Sequence, residues 1–275
     1  MTRLKTEDIS HIKASLDKYN RDLIVKTGAT LGQIAAYAAE TGEEKVCRNF
    51  KVAVIPFTCG RGIIEGFTQA VASITGFLGF NSFVTENTDA GGVAEAVEKG
   101  AEILMMADDD KFVAINRVTA RVSDNGEATG RGYAAALDLM AGGLRNRNVL
   151  ILGAGPVGKG AALALAKLGA KISIFDIKPR CSNRLAEEVH EKTGITVRTE
   201  GNLDRALLVN KIIYDATPAP SFIHKRHITP DTFIAAPGIP LGVDSEALPE
   251  VADRLLHDPL EIGVATMIYD VCKQA

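Results

Sequence analysis

Apolar residues along this chain recur in two rhythms, and the changes between them divide it into elements. Behind a capping Thr6, and again over 31–41, they return at helical spacing, so the first fifty residues read as helices. Lys51-Val52-Ala53-Val54-Ile55-Pro56-Phe57 is a short apolar run of strand type, closed by the turn Thr58-Cys59-Gly60-Arg61-Gly62. A helical stretch over 63–77, an extended Ser82-Phe83-Val84-Thr85, a short helix over 92–99 and an apolar strand over 102–106 follow. That strand stops at Asp108-Asp109-Asp110, and the pattern predicts a three-strand α/β unit behind leading helices.

Past the turn signal Asp124-Asn125-Gly126, an Ala- and Leu-rich helix over 129–143 leads to a regular alternation. Strands are predicted over 148–152, 171–176, 211–215 and 232–236, with helices over 156–168 and 183–192. Alternating strand and helix implies a parallel sheet with right-handed crossovers. The fold class is therefore α/β. A C-terminal Rossmann, doubly wound sheet over 129–275 is expected beside an N-terminal helical and α/β substrate domain over 1–128. The last helix, 262–271, is free by sequence to pack on either.

Composition narrows the classes of function. At 275 residues with 46% hydrophobic and 24% charged residues, the chain can bury two cores. A net charge of -3 with scattered Lys and Arg offers no field for a phosphate backbone, so nucleic-acid binding is not expected. No signal-like start and no run of about 18 apolar residues is present, so neither export nor membrane insertion is expected. Cys47, Cys59, Cys181 and Cys272 are too few and too dispersed for a disulfide scaffold, which suits reduced thiols in a cytoplasm. A homo-oligomer is compatible with all of this.

The sharpest motif is Gly153-Ala154-Gly155-Pro156-Val157-Gly158, directly after the apolar strand over 148–152 and opening an Ala-rich helix. Gly153 permits the tight turn, Gly155 lets backbone approach a pyrophosphate, and Gly158 permits close packing. Pro156 suits a first helical turn, whose unpaired N–H groups favour an anion. The next strand ends in Asp176, at the place, roughly 20 residues on, where a carboxylate accepts from ribose hydroxyls. NAD is thus expected over NADP, with Val157, Ile177 and Arg180 beside the site and Lys178 and Arg180 softening the repulsion of a 2′-phosphate. The turns Ala216-Thr217-Pro218 and Pro237-Gly238-Ile239-Pro240 lie at carboxyl ends of strands, where ligands of open sheets bind, so Thr217, Pro218, Pro237 and Gly238 are expected on the nicotinamide side.

On the substrate side, three crowded carboxylates at a strand end would recruit an amine, a metal ion or a proton, although an acidic triplet is also what a solvated loop looks like. The amides of the 58–62 turn offer a second contact. His224, His227 and His257 have no partner at informative spacing and read as surface or loop histidines, and Cys59 as a small, partly buried residue.

These residues resemble the pyrrolysine synthase family. The resemblance rests on Pro56, Gly60, Gly62-Ile63-Ile64, Gly79-Phe80-Asn81-Ser82-Phe83, Ala107-Asp108-Asp109 and Asn116. It continues through Ala216-Thr217-Pro218, Pro237-Gly238-Ile239-Pro240, Pro259-Leu260, Ile262-Gly263 and Met267, with Leu4 at the start. The resemblance implies NAD-dependent oxidation of the terminal amine-bearing carbon of L-lysine-Nε-3R-methyl-D-ornithine, then ammonia loss and ring closure to pyrrolysine. It implies a substrate held by Leu4, Thr58, Cys59, Gly60, Arg61 and Ile63, with Asp109 as the carboxylate nearest the reacting amine and Asp108 and Asp258 in support. No metal is implied. Asp258 stands where the family has a longer Glu, Cys59 and Arg61 where it favours a hydroxyl and a neutral polar residue, and Glu261 where it has glycine. The rival readings are a dehydrogenase of another amino acid and a non-catalytic NAD sensor. The first lacks a lysine in a corresponding glycine-rich context, and the acid triplet argues against the second.

Overall fold

A computed structural model describes residues 4–273. The leading periodic stretch is two helices, α1 (Thr6–Ile9) and α2 (Ile12–Thr27), followed by α3 (Leu31–Ala38). Gly28 ends α2 in the left-handed conformation, at φ 73°, which glycine adopts at little cost. Then come β1 (Lys51–Ile55), α4 (Phe67–Phe77), β2 (Asn81–Val84), α5 (Asp89–Glu98), β3 (Ile103–Ala107), β4 (Phe112–Asn116) and β5 (Arg121–Asp124). They form a sheet in the order β2-β1-β3-β4-β5, parallel as far as β3 and antiparallel from there to β5.

The expected three strands are therefore five. Strand β4 alternates buried and half-buried positions, as a strand covered on one face does. Strand β5 carries one apolar residue, Val122, and that one faces solvent, so no apolar rhythm marks it. The acid triplet accordingly sits at the tip of the β3–β4 hairpin and not at the entry to a parallel crossover.

The second sheet follows α6 (Asn125–Met140), whose Asp124 cap accepts from the amides of Gly126 and Glu127. Its elements are β6 (Asn148–Leu152), α7 (Pro156–Lys167), β7 (Lys171–Phe175), α8 (Pro179–Thr193), β8 (Arg198–Thr199), α9 (Leu203–Val209), β9 (Ile212–Asp215), β10 (Phe233–Ala235), α10 (Leu248–Val251), β11 (Leu255–Leu256) and α11 (Glu261–Cys272). All six strands are parallel in the order β11-β10-β9-β6-β7-β8, the doubly wound arrangement with its switch point between β6 and β9. The expected Rossmann sheet is present, lengthened by β8 and β11, which at two residues each are too short to register as periodicity.

Helix α6 joins the two sheets. A Cβ on Gly130 would lie 2.4 Å from the Val157 carbonyl oxygen, and one on Gly160 would lie 2.6 Å from that of Glu127, so α6 and α7 cross backbone against backbone. Gly132 similarly admits Thr266 of α11. Helix α11 packs on α3, α4, α6, β4 and β5, which places the terminal helix against the first sheet. One apolar cluster runs from Val52 and Ile103 through Ala134 and Leu137 to Val149 and Ile174.

Candidate active site

A cleft of about 740 Å³ opens between the carboxyl ends of the two sheets. Gly155, Pro156 and Val157 form one wall with Ala216, Thr217, Pro218, Pro237 and Gly238, while Leu4, Cys59, Arg61, Ile63 and the three aspartates form the other. Thr58 and Gly60 are adjacent in the chain but not in the lining.

The glycine turn has the build that its sequence predicts. Gly153 takes φ 90°, and a Cβ on Gly158 would lie 2.0 Å from the Gly153 carbonyl oxygen, so the turn closes only with hydrogen at both positions. Above Gly155 a Cβ would meet nothing within 4 Å, leaving the start of α7 open to a ligand. Asp176 follows β7, half-buried; its Oδ2 accepts from the Ala154 amide at 2.8 Å and its Oδ1 from that of Lys178 at 2.8 Å. Each oxygen keeps a lone pair for a further donor. Ile177, at 85% exposure, and Arg180 extend this edge into solvent, outside the enclosed cleft.

The acidic wall separates into unlike parts. Asp108 Oδ1 accepts from the amides of Asp110 (2.8 Å) and Lys111 (2.7 Å), closing the hairpin turn, and these bonds hold its carboxyl below the usual carboxylate range. Asp109 points at the 58–62 loop, where its Oδ2 accepts from the Arg61 amide at 2.9 Å. A Cβ on Gly60 would come within 2.2 Å of that oxygen, which explains the glycine. The other end of the loop hangs on a residue the sequence did not single out. Asp89 accepts from the Thr58 amide (2.8 Å) and hydroxyl (2.5 Å), and those bonds depress its own titration. Its signal was the Thr88-Asp89 helix start, which the apolar pattern placed three residues later. Among the described residues, no group of three His, Cys, Asp or Glu is arranged to hold a metal ion.

Asp258 is not brought to these aspartates. It is buried and outside the cleft lining, although its neighbours Pro259 and Leu260 belong to that lining. The hydroxyls of Tyr19 and Tyr133 donate to its Oδ2 at 2.7 and 2.6 Å. Glu261 lies in the same pocket of low dielectric. Burial first, and then the Asp258 charge, push its carboxyl up to about 8, well above the usual carboxylate range. The expected place of Asp258 beside Asp108 and Asp109 is therefore not what the structure shows, because its carboxylate is buried behind the cleft wall on two tyrosine hydroxyls.

The remaining candidates fall elsewhere. His227 is buried rather than on a surface loop: its Nε2 lies 2.9 Å from Asp204, and its Nδ1 accepts from the His224 amide at 3.0 Å, so it is a packing element. His257 Nδ1 bonds the Ala236 carbonyl at 2.7 Å. Cys59 is exposed, against the expectation of partial burial, and lines the open cleft. Asn125 and Thr129, at the start of α6, join the lining and were not foreseen. Their helix was expected to begin only at 129.

Comparison with known proteins gives this geometry a lineage. Residues 8–123 match the family model described as pyrrolysine biosynthesis protein PylD, N-terminal domain, and residues 128–229 match alanine dehydrogenase/PNT, C-terminal domain. Over 98% of its length the chain is 31% identical to the whole of the pyrrolysine synthase of Methanosarcina acetivorans. The chain belongs to the pyrrolysine synthase family. The Methanosarcina barkeri member is 32% identical, with 98% of each chain covered. Among solved structures the fold resembles quinate dehydrogenase from Corynebacterium glutamicum in complex with NAD, at TM-score 0.55 and 13% identity over 80% of this chain and 92% of that one. Shikimate dehydrogenase from Aquifex aeolicus aligns at TM-score 0.54 and 14% identity, over 83% and 95%. With this family the chain is an enzyme of oxidoreductase type, and among the described residues no helix is long and apolar enough to cross a membrane.

Proposed function

We propose that the enzyme oxidises the terminal amine-bearing carbon of L-lysine-Nε-3R-methyl-D-ornithine with NAD, and that ammonia loss and ring closure then give pyrrolysine. The observation that carries this reading is the shared cleft, which sets the Asp109 hairpin tip opposite the open glycine turn at Gly155. The substrate half comprises residues 1–128 together with α11, and the cofactor half comprises the rest.

NAD, when bound, supplies the acceptor for a hydride. The open space over Gly155, the amides at the start of α7 and the lone pairs on Asp176 fit a dinucleotide, and the carboxylate at 176 disfavours one carrying a 2′-phosphate. The protein's own residues handle the cation. A primary ammonium must lose a proton before its carbon gives up a hydride, and an exposed carboxylate both attracts that ammonium and accepts the proton. Asp109 has this role, with Arg61 and Cys59 beside it and Ile63, Ile64 and Phe67 taking the aliphatic chain. Loss of two electrons and a proton from the ammonium-bearing carbon leaves an iminium. Attack by the ornithine α-amine expels the nitrogen as ammonium and closes the ring.

The test is to incubate the purified protein with this substrate and NAD, following NADH by absorbance and the product by mass. NADH formation with a pyrroline-containing amino acid is expected. Tight NAD binding without turnover would overturn the substrate assignment and leave the cofactor assignment standing.

A further inference from the structure

Asp215 ends β9, is fully buried and is absent from the cleft lining, yet it holds two residues that belong to that lining. Its Oδ1 accepts from both the amide (3.0 Å) and the hydroxyl (2.7 Å) of Thr217. Its main-chain oxygen accepts from the Gly238 amide at 3.3 Å. The two loops also touch directly: a Cβ on Gly238 would lie 2.0 Å from the Thr217 carbonyl oxygen. The second carboxyl oxygen, Oδ2, has no hydrogen-bond partner and is capped by Gly242, where a Cβ would stand 2.1 Å away.

We infer that Asp215 is a positioning residue that fixes the two loops facing the nicotinamide end of the cofactor, acting through Thr217 and Gly238. The inference rests on the cofactor reading above and goes beyond it by separating the two ends of the dinucleotide. Burial pushes the Asp215 carboxyl up to about 6, against the pull of the two Thr217 hydrogen bonds, which hold it in its accepting form. An amide at the same position keeps the acceptor and removes the titration.

The test titrates NAD and ADP-ribose separately into the full-length protein and its variants. In Asp215→Ala, NAD affinity is expected to fall about tenfold while ADP-ribose affinity stays within about twofold, and Asp215→Asn is expected to restore NAD binding to within about threefold. Thr217→Val, which removes the hydroxyl donor and leaves Asp215 and the Thr217 amide contact in place, should weaken NAD about threefold with ADP-ribose unchanged. Equal losses for both ligands, unaltered NAD binding in Asp215→Ala and Thr217→Val, or failure of Asp215→Asn to rescue would each overturn the inference. Wild-type protein that binds neither ligand would overturn the cofactor reading and this inference with it.

Discussion

Asp108 and Asp109 are neighbours with different duties. Asp108 is committed to the turn by two amides, whereas Asp109 reaches across to the 58–62 loop and stays exposed in the cleft. In Asp109→Asn the amide oxygen still accepts from the Arg61 amide, so the loop keeps its place while the proposed proton acceptor is lost. Turnover should fall about 100-fold or more, with NAD affinity, measured by titration, unchanged. At the cofactor edge, Asp176→Ala should weaken NAD about tenfold and narrow the preference over NADP, as paired binding curves would show. The sequence marked all three aspartates because like charges crowd at a strand end. The charge pattern by itself could not separate them, because the turn that engages Asp108 exists only once β4 folds back on β3; only the family resemblance set Asp109 ahead of Asp108. Asp258 shows the same limit: its carboxylate was legible, but the tyrosines that cover it come from α2 and α6, far off in the chain.

Among elements, the Rossmann half was the more legible. Each of its longer strands is an apolar run ended by a glycine, proline or acid, and such punctuation is local. Strand β5 and α9 were missed because their burial depends on neighbours more than on pattern. The crossing of α6 and α7 is legible only afterwards, since Gly130 and Gly160 look like ordinary weak points of two Ala-rich helices. Their Cβ-free faces make Gly160→Ala a sensitive probe. Alanine raises helix propensity, yet here it meets the Glu127 backbone at 2.6 Å, and the net effect should be a loss of about 1–3 kcal/mol, read from denaturant midpoints.

For the molecule as a whole, the buried acids give stability a dependence on pH above the ordinary carboxylate range. The unfolded chain ionises Glu261 near its ordinary 4.5, and the folded chain holds the proton to about 8. Between those values the native state carries a proton that the unfolded state has lost, so stability falls as pH rises through that window and levels off above it. Asp215 acts in the same direction up to about 6. Glu261→Gln removes the larger contribution. Calorimetric melting temperatures should fall less steeply with pH in that variant than in the wild type, and parallel slopes would contradict the burial argument.

The backbone contact between α6 and α7 also bears on how such an enzyme can change. Side chains can be exchanged, but peptide planes in contact cannot be trimmed, so the interval between the Asp109 turn and the Gly155 turn is gauged by the chain itself. A lineage adapting to a longer or shorter substrate would leave that gauge alone and rewrite the 58–62 and 108–110 loops, whose side chains line the opposite wall of the cleft.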